Sequence, residues 1–262
     1  MPCHLIYSQK IVMKVSQSSP VIVTVPCFSG SPWQLERLEP LSRWSLRTMR
    51  LPEAPDDMEM YADFLAEQVA GLDNYILVGD SFGANIAIAF ATRQPKGLTA
   101  LVLSGGFAAD PVTDPLTKLK LTTASFLPGV LYRQITLRFH AQALASPYDL
   151  YGEIPFSRSQ IRDLFIQNTP RRSYLSRMKA AFSANYLDKL RLIQVPTLIL
   201  TPAYDRLIGE KAARDMLEGI PDASEQILAN TGHMFRFTHP ITYANAVKEF
   251  LLTRIGDIPI VT

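Results

Sequence analysis

The chain has 262 residues, 47% hydrophobic and 19% charged, which suits a globular protein able to bury a substantial core. A formal net charge of +2 lacks the strong basic excess of nucleic-acid binders, so no nucleic-acid partner is expected. Runs of about eighteen apolar residues are missing, which excludes a predicted membrane-spanning helix.

The chain begins "MPCHLIYSQK", without the basic segment and long apolar stretch of a secretory signal. Its two cysteines, Cys3 and Cys27, fall in or beside predicted strands and read as buried free thiols. A reducing, cytoplasmic location is the expectation. "HLIYS" and "KIVMKVS" read as a paired hairpin, and "VIVTV" (21–25) as a buried strand ended by Pro26. "SLRTMRLP" (45–52) reads as a further strand. In "MEMYADFLAEQVAGL", Met60, Phe64, Leu65, Val69 and Leu72 recur at helical spacing, with Asp56 or Asp57 placed to cap the first turn. A strand "YILVG" (75–79), a helix "SFGANIAIAFATRQ" and a strand "LTALVLS" (98–104) follow. Strands and helices alternating at this pitch predict an α/β fold with a parallel sheet.

The pattern changes near residue 107. Up to about 190 the sequence predicts helices only, broken by prolines at 111, 115, 128, 147, 155 and 170. Alternation resumes with "VPTLILT" (195–201), helix "EKAARDMLEGI", strand "SEQILA" (224–229) and a last helix from about 240 to 254. The organisation is therefore a core of 1–106 and 191–262, interrupted by an inserted all-helical cap at 107–190.

Between the strand at 75–79 and its helix stands Gly79-Asp80-Ser81-Phe82-Gly83. A serine on a sharp strand-to-helix turn is held in a strained conformation, and side chains two residues either side would collide, hence the glycines. The turn lifts the hydroxyl to the carboxyl edge of the sheet, at the positive end of the following helix. A serine near its usual pKa needs a base, and the base needs a group to orient it. His233, in "LANTGHMFRFTHP", and Asp205, in "LILTPAYDRLIG", each lie just past a predicted strand, giving the chain order Ser, Asp, His. In this reading His233 takes the proton of Ser81, and Asp205 holds the imidazole. Asp205 could instead cap the helix near Gly209, with Asp110 the competing acid, and His233 could be a solvated loop histidine. His239, before Pro240, reads as the start of the last helix, and His4 and His140 read as structural. The oxyanion donors are expected to be the amides of Phe82 and Phe28, with Cys27 the alternative to Phe28.

"VGDSFGAN", "LILTPAYDRLI", "NTGHMFRFTHPITYANAVKEFL" and the "PCFSG" turn resemble the α/β-hydrolase superfamily, and within it the small lidded serine esterases. The resemblance implies an eight-stranded, mostly parallel sheet flanked by helices, a Ser81–Asp205–His233 triad and a helical lid. Family members often carry His-Gly at the oxyanion turn, where this chain has Pro26-Cys27.

A serine nucleophile argues against branches that use aspartate, such as haloalkane dehalogenases and epoxide hydrolases. The expected activity is hydrolysis of carboxylic esters of modest apolar acyl groups through an acyl-enzyme. Phe126, Leu127, Leu131, Tyr132 and Phe182 are candidates to wall the acyl pocket or to pack the lid onto the core. The stretch 107–191 holds twelve Lys or Arg against six Asp or Glu. Solvated helix faces explain that excess; the alternative is an acidic acyl carrier protein meeting Arg133, Arg138, Arg158 and Arg162, as in enzymes resembling pimeloyl-carrier methyl esterases. Carbon–carbon cleavage resembling hydroxynitrile lyases, and a non-catalytic ligand receptor, are the remaining alternatives. No cofactor is needed for acyl transfer, and the four dispersed histidines predict no metal site.

Overall fold

The computed structural model describes residues 19–256 except 54, 56, 113, 114, 117 and 120–125. Six strands form one sheet: β1 (Val21–Val25), β2 (Ser45–Thr48), β3 (Tyr75–Asp80), β4 (Leu98–Ser104), β5 (Thr197–Pro202) and β6 (Ala223–Leu228). Their order is β2-β1-β3-β4-β5-β6, and every pair is parallel. Eight strands were implied and six are present among the described residues. The hairpin expected at "HLIYS" and "KIVMKVS", like Cys3 and His4, lies outside them.

Central strands of a parallel sheet are covered on both faces and so read as continuous apolar runs rather than alternating ones. Accordingly all six residues of β3 are buried. One face packs against α1 (Met58–Val69), α2 (Phe82–Ala91) and α7 (Glu210–Gly219) through Leu65, Ile88 and Met216. The other packs Trp33, Trp44, Phe235 of the short α8 (Phe235–Thr238) and α9 (Pro240–Ile255), with Tyr243, Val247 and Phe250 turned inward. The α1 start follows the expected chemistry, with the Met60 amide donating to Asp57 Oδ1 at 2.9 Å. Its buried face is Met58, Tyr61, Ala62, Leu65 and Val69, whereas Met60 of the predicted stripe is 48% exposed.

Between β4 and β5 the described elements are helical: α3 (Gly129–Tyr132), a π-helical stretch (Arg133–Leu137), α4 (Arg138–Leu144), α5 (Arg158–Asn168) and α6 (Arg171–Ser183), with short 3-10 turns at Pro147–Tyr151 and Leu187–Leu192. A capping box at Ser157 and Gln160 starts α5. Tyr132, Leu137, Ile161, Phe165 and Tyr174 form a separate apolar cluster within this insertion. Ala109 and Asn185, near its two ends, form an antiparallel bridge, and Ala180, Ala181 and Ala184 pack in the sheet's own core. The Glu153 carboxylate also accepts the Ile241 and Thr242 amides at 2.6 and 2.8 Å, tying the insertion to the start of α9.

Strand order fixes where a site can form. From β1 the chain steps to β2 on one side, then returns to β3 on the other. At such a switch point the loops leaving the carboxyl ends diverge and leave a crevice. Here those loops are Pro26–Gly30 after β1 and Ser81 after β3.

Candidate active site

Ser81 sits in that crevice with φ 54° and ψ −115°, a conformation disfavoured for a residue with a Cβ. Its surroundings enforce the strain. A Cβ on Gly79 would lie 2.6 Å from Gly83 O, and one on Gly83 would lie 2.3 Å from Val25 O and 2.5 Å from Pro26 O. The Ser81 amide donates to Ser104 O of the neighbouring strand at 2.8 Å, so the turn is held from the sheet as well.

The structure brings together the three residues singled out in the sequence. Ser81 Oγ lies 2.9 Å from His233 Nε2, and His233 Nδ1 lies 2.7 Å from Asp205 Oδ2. An ionised carboxylate can only accept, so Nδ1 carries the proton and Nε2 is free to accept from the serine hydroxyl. Asp205 Oδ1 accepts the Leu207 and Ile208 amides at 2.8 and 3.1 Å, which orients the carboxylate towards the ring. Both side chains are buried. Burial opposes charge on His233, yet the Asp205 carboxylate outweighs it, helped by Asp80 and Asp149, and the imidazole pKa is raised above its ordinary value. Burial likewise opposes ionisation of Asp205, but His233 and the two amides win and lower its pKa. His239 instead stands at the start of α9, as expected, its Nδ1 2.8 Å from Thr238 Oγ1.

Above Ser81 opens a cavity of about 570 Å³. Core loops contribute Cys27, Phe28, Phe82 and His233, and the insertion contributes residues on α4, α5 and α6, including Phe139, His140, Leu164, Phe165 and Met178. Phe28 and Phe82, the expected amide donors, both line it, with their rings 5.6 Å apart and edge-on. Cys27 lines it too and is only half-buried, against the expectation of a buried thiol.

Of the five residues expected to wall an acyl pocket, Phe182 does line the cavity. Phe126 and Leu131 instead stand on the surface, 81% and 48% exposed. Leu127 and Tyr132 pack into the insertion's own cluster, Tyr132 edge-on to Tyr174. A helix beginning at Gly129 turns Val130 and Leu131 outward and Tyr132 inward, so this segment packs the insertion rather than the pocket. Of the basic residues, Arg138 and Arg158 are exposed and Arg162 pairs with its neighbour Asp163, while the side chain of Arg133 is outside the description.

Two features at the site had escaped the sequence reading. Arg236 donates from Nε to Asp80 Oδ2 at 2.6 Å, both side chains nearly fully buried. Its guanidinium lies 4.2 Å from the Trp33 ring centre and 4.0 Å from that of Phe237. Arg177, 2% exposed, reaches from α6 to donate to Phe28 O at 2.7 Å and Pro52 O at 3.3 Å. Gly30, at φ 70°, leaves room for it, since a Cβ there would lie 2.4 Å from Arg177 Nη2. The "HMFRF" run of cation between aromatics was the available signal for Arg236. Arg177 carries none, being one of several cations on a polar-looking helix.

In sequence the chain is 27% identical over 187 residues to 2-hydroxy-6-oxononadienedioate/2-hydroxy-6-oxononatrienedioate hydrolase 2 of Pseudomonas putida, covering 69% of this chain and 64% of that protein. It is 27% identical over 189 residues to a 2-hydroxymuconate semialdehyde hydrolase of Pseudomonas putida, covering 69% and 63%. The chain thus spans a little under two thirds of the length of these curated relatives. In fold it is similar to a thermophilic esterase from Thermogutta terrifontis (TM-score 0.72, 20% identity, 91% of each chain). An enol-lactonase from Burkholderia xenovorans LB400 is also similar (TM-score 0.70, 18% identity, 90% of this chain and 92% of that one). The profile of the family described as "Serine aminopeptidase, S33" matches residues 47–237, and the chain belongs to that family of α/β-hydrolases.

Proposed function

We propose that this hydrolase cleaves carboxylic esters of modest apolar acyl groups through a covalent acyl-serine. The observation that carries the reading is the relay from Ser81 through His233 to Asp205, at the floor of a largely apolar cavity. His233 Nε2 takes the hydroxyl proton as Ser81 Oγ attacks the ester carbonyl, and Asp205 stabilises the imidazolium that forms. The amides of Phe82 and Phe28 receive the developing oxyanion; such a donor is worth roughly 3–4 kcal/mol in the transition state. The imidazolium then protonates the leaving alkoxide, and water attacks the acyl-serine by the same route in reverse. Hydrolysis of the acyl-enzyme returns the acid and regenerates Ser81.

Aminopeptidase activity is less compatible with the cavity. A substrate ammonium needs a carboxylate, and the one acid among the described residues lining the cavity, Asp80, is already engaged by Arg236. A second reading takes its substrate from the relatives, whose names give an oxo-dienedioate. Arg37 and Arg206 line the same cavity and could meet such an anion.

The test is turnover of p-nitrophenyl acetate, butyrate and octanoate by purified protein beside a Ser81→Ala control. Turnover above the control, greatest for the shorter chains, is expected. No difference from the control across all chain lengths would end the esterase reading. Turnover of an oxo-dicarboxylate alone would favour the second.

A further inference from the structure

Read from sequence as structural, His140 instead lines the cavity from α4, within the electrostatic reach of His233. Its ring packs on Phe165 (centres 4.8 Å apart, 26° between planes) and on Phe28 (5.3 Å). Nδ1 lies 3.2 Å from the hydroxyl of Tyr174, a residue only 1% exposed. Burial first, and the field of His233 second, push the His140 pKa down to about 3, so the ring is neutral at working pH.

The contact with Tyr174 decides which nitrogen carries the proton. Among the described residues His140 is the sole hydrogen-bond partner of the Tyr174 hydroxyl. A buried hydroxyl that only accepted would leave its own proton without an acceptor, which is costly. Tyr174 therefore donates to Nδ1, and the proton of the neutral ring sits on Nε2. That N–H has no partner among the described residues and belongs to a side chain lining the cavity. A rigid, uncharged donor set between aromatic rings is suited to an oxygen acceptor on a bound molecule.

We propose that His140 is a specificity-determining residue, whose Nε2–H, held as donor by Tyr174, binds an oxygen acceptor carried by the substrate beyond its scissile carbonyl. The substrate class narrows accordingly, from simple alkanoyl esters to esters bearing an oxo or carboxylate oxygen. Tyr174 acts through His140 and is a positioning residue. The inference rests on the esterase reading for its kinetic arm alone, and a second arm needs no turnover.

The first arm compares kcat/KM for p-nitrophenyl hexanoate with its 3-, 4- and 5-oxo counterparts. The wild type is expected to prefer at least one oxo ester about tenfold. His140→Phe is expected to abolish that preference, read as the ratio of oxo-ester to hexanoate kcat/KM within each variant, and His140→Gln, which keeps a donor, to restore part of it. Tyr174→Phe is expected to weaken the preference. The second arm reads the imidazole nitrogens of His140 by 15N NMR at neutral pH, in wild type and in Tyr174→Phe. A protonated Nε2 with bare Nδ1, blurred in the variant, is expected. A protonated Nδ1, or an oxo preference that is absent or survives in folded His140→Phe, would overturn the proposal. Failure of every ester against Ser81→Ala would remove the esterase reading and leave the tautomer to be judged by the second arm.

Discussion

Removing the carboxylate of Asp80 tests how the residue beside Ser81 is held. Asp80 and Arg236 meet at 2.6 Å with side chains 5% and 8% exposed, so neither charge has water to fall back on. Breaking a buried pair from one side costs about 3–5 kcal/mol, because a desolvated charge is left behind. Asp80→Asn keeps the shape and one acceptor oxygen, and Arg236 keeps its contacts with Trp33 and Phe237. Its cost should therefore fall near the lower end, about 3 kcal/mol. Arg236→Met strands the carboxylate and also loses two cation–π contacts, so about 4–5 kcal/mol is expected. The double variant should be less destabilised than the sum of the singles by about 2–3 kcal/mol, the coupling expected of residues in contact. For a chain of this size about 3 kcal/mol corresponds to a fall in Tm of roughly 6–12 °C. Urea unfolding followed by circular dichroism, with m unchanged, supplies the four corners of the cycle. Additive costs, or an Arg236→Met variant as stable as wild type, would refute the reasoning.

The acid limb of kcat/KM reports His233 and should lie above the ordinary histidine value, since its pKa is raised. Asp205→Asn should move the limb to lower pH and cut kcat by about 10⁴-fold, which pH–rate profiles of both proteins check. The same raised pKa contributes stability that is complete below the unfolded value of 6.5 and is lost as pH rises through the folded one. Asp205, whose pKa is lowered from 3.8, contributes stability above that value that is lost as pH falls through the folded one. Asp149 is a buried acid whose Oδ2 accepts the Ser146 amide at 2.6 Å while Oδ1 has no hydrogen-bond partner among the described residues. Burial raises its pKa from 3.8 to about 6. A raised value means stability lost as pH climbs from about 4 through about 6, by roughly 3 kcal/mol for two units. Asp149→Asn should therefore stabilise the protein at pH 8 and not at pH 4, as thermal melts at the two values would record. Gly83→Ala should lower kcat at least about 100-fold, because its Cβ meets two carbonyls of the β1 end and must shift the Phe82 amide. Ester kinetics on the folded variant check this.

Much of the core was legible because its signals are local. A β-branched run stopped by Pro26, a capping aspartate at 57 and the glycines around Ser81 act within a few residues of themselves. Strand ends also point loops to one edge, which is why Asp205 and His233 could be placed near Ser81 from order alone. The cavity wall was not legible, since which face of α3 or α4 turns inward depends on partners far away in the chain. Tyr132 turns to Tyr174 and Leu131 to solvent, while His140, expected to be structural, reaches the cavity. Asp80 and Arg236 are separated by 156 positions, and no periodicity announces such a pair.

Phe28 is fastened to the insertion twice: its carbonyl takes the Arg177 guanidinium, and its ring lies among Phe165, His140 and Tyr174. Lifting α6 from the sheet would therefore disturb Phe28, the residue whose amide is proposed as the second oxyanion donor. On the proposed reading, the seating of the insertion on the core and the placement of that donor are one packing arrangement rather than two.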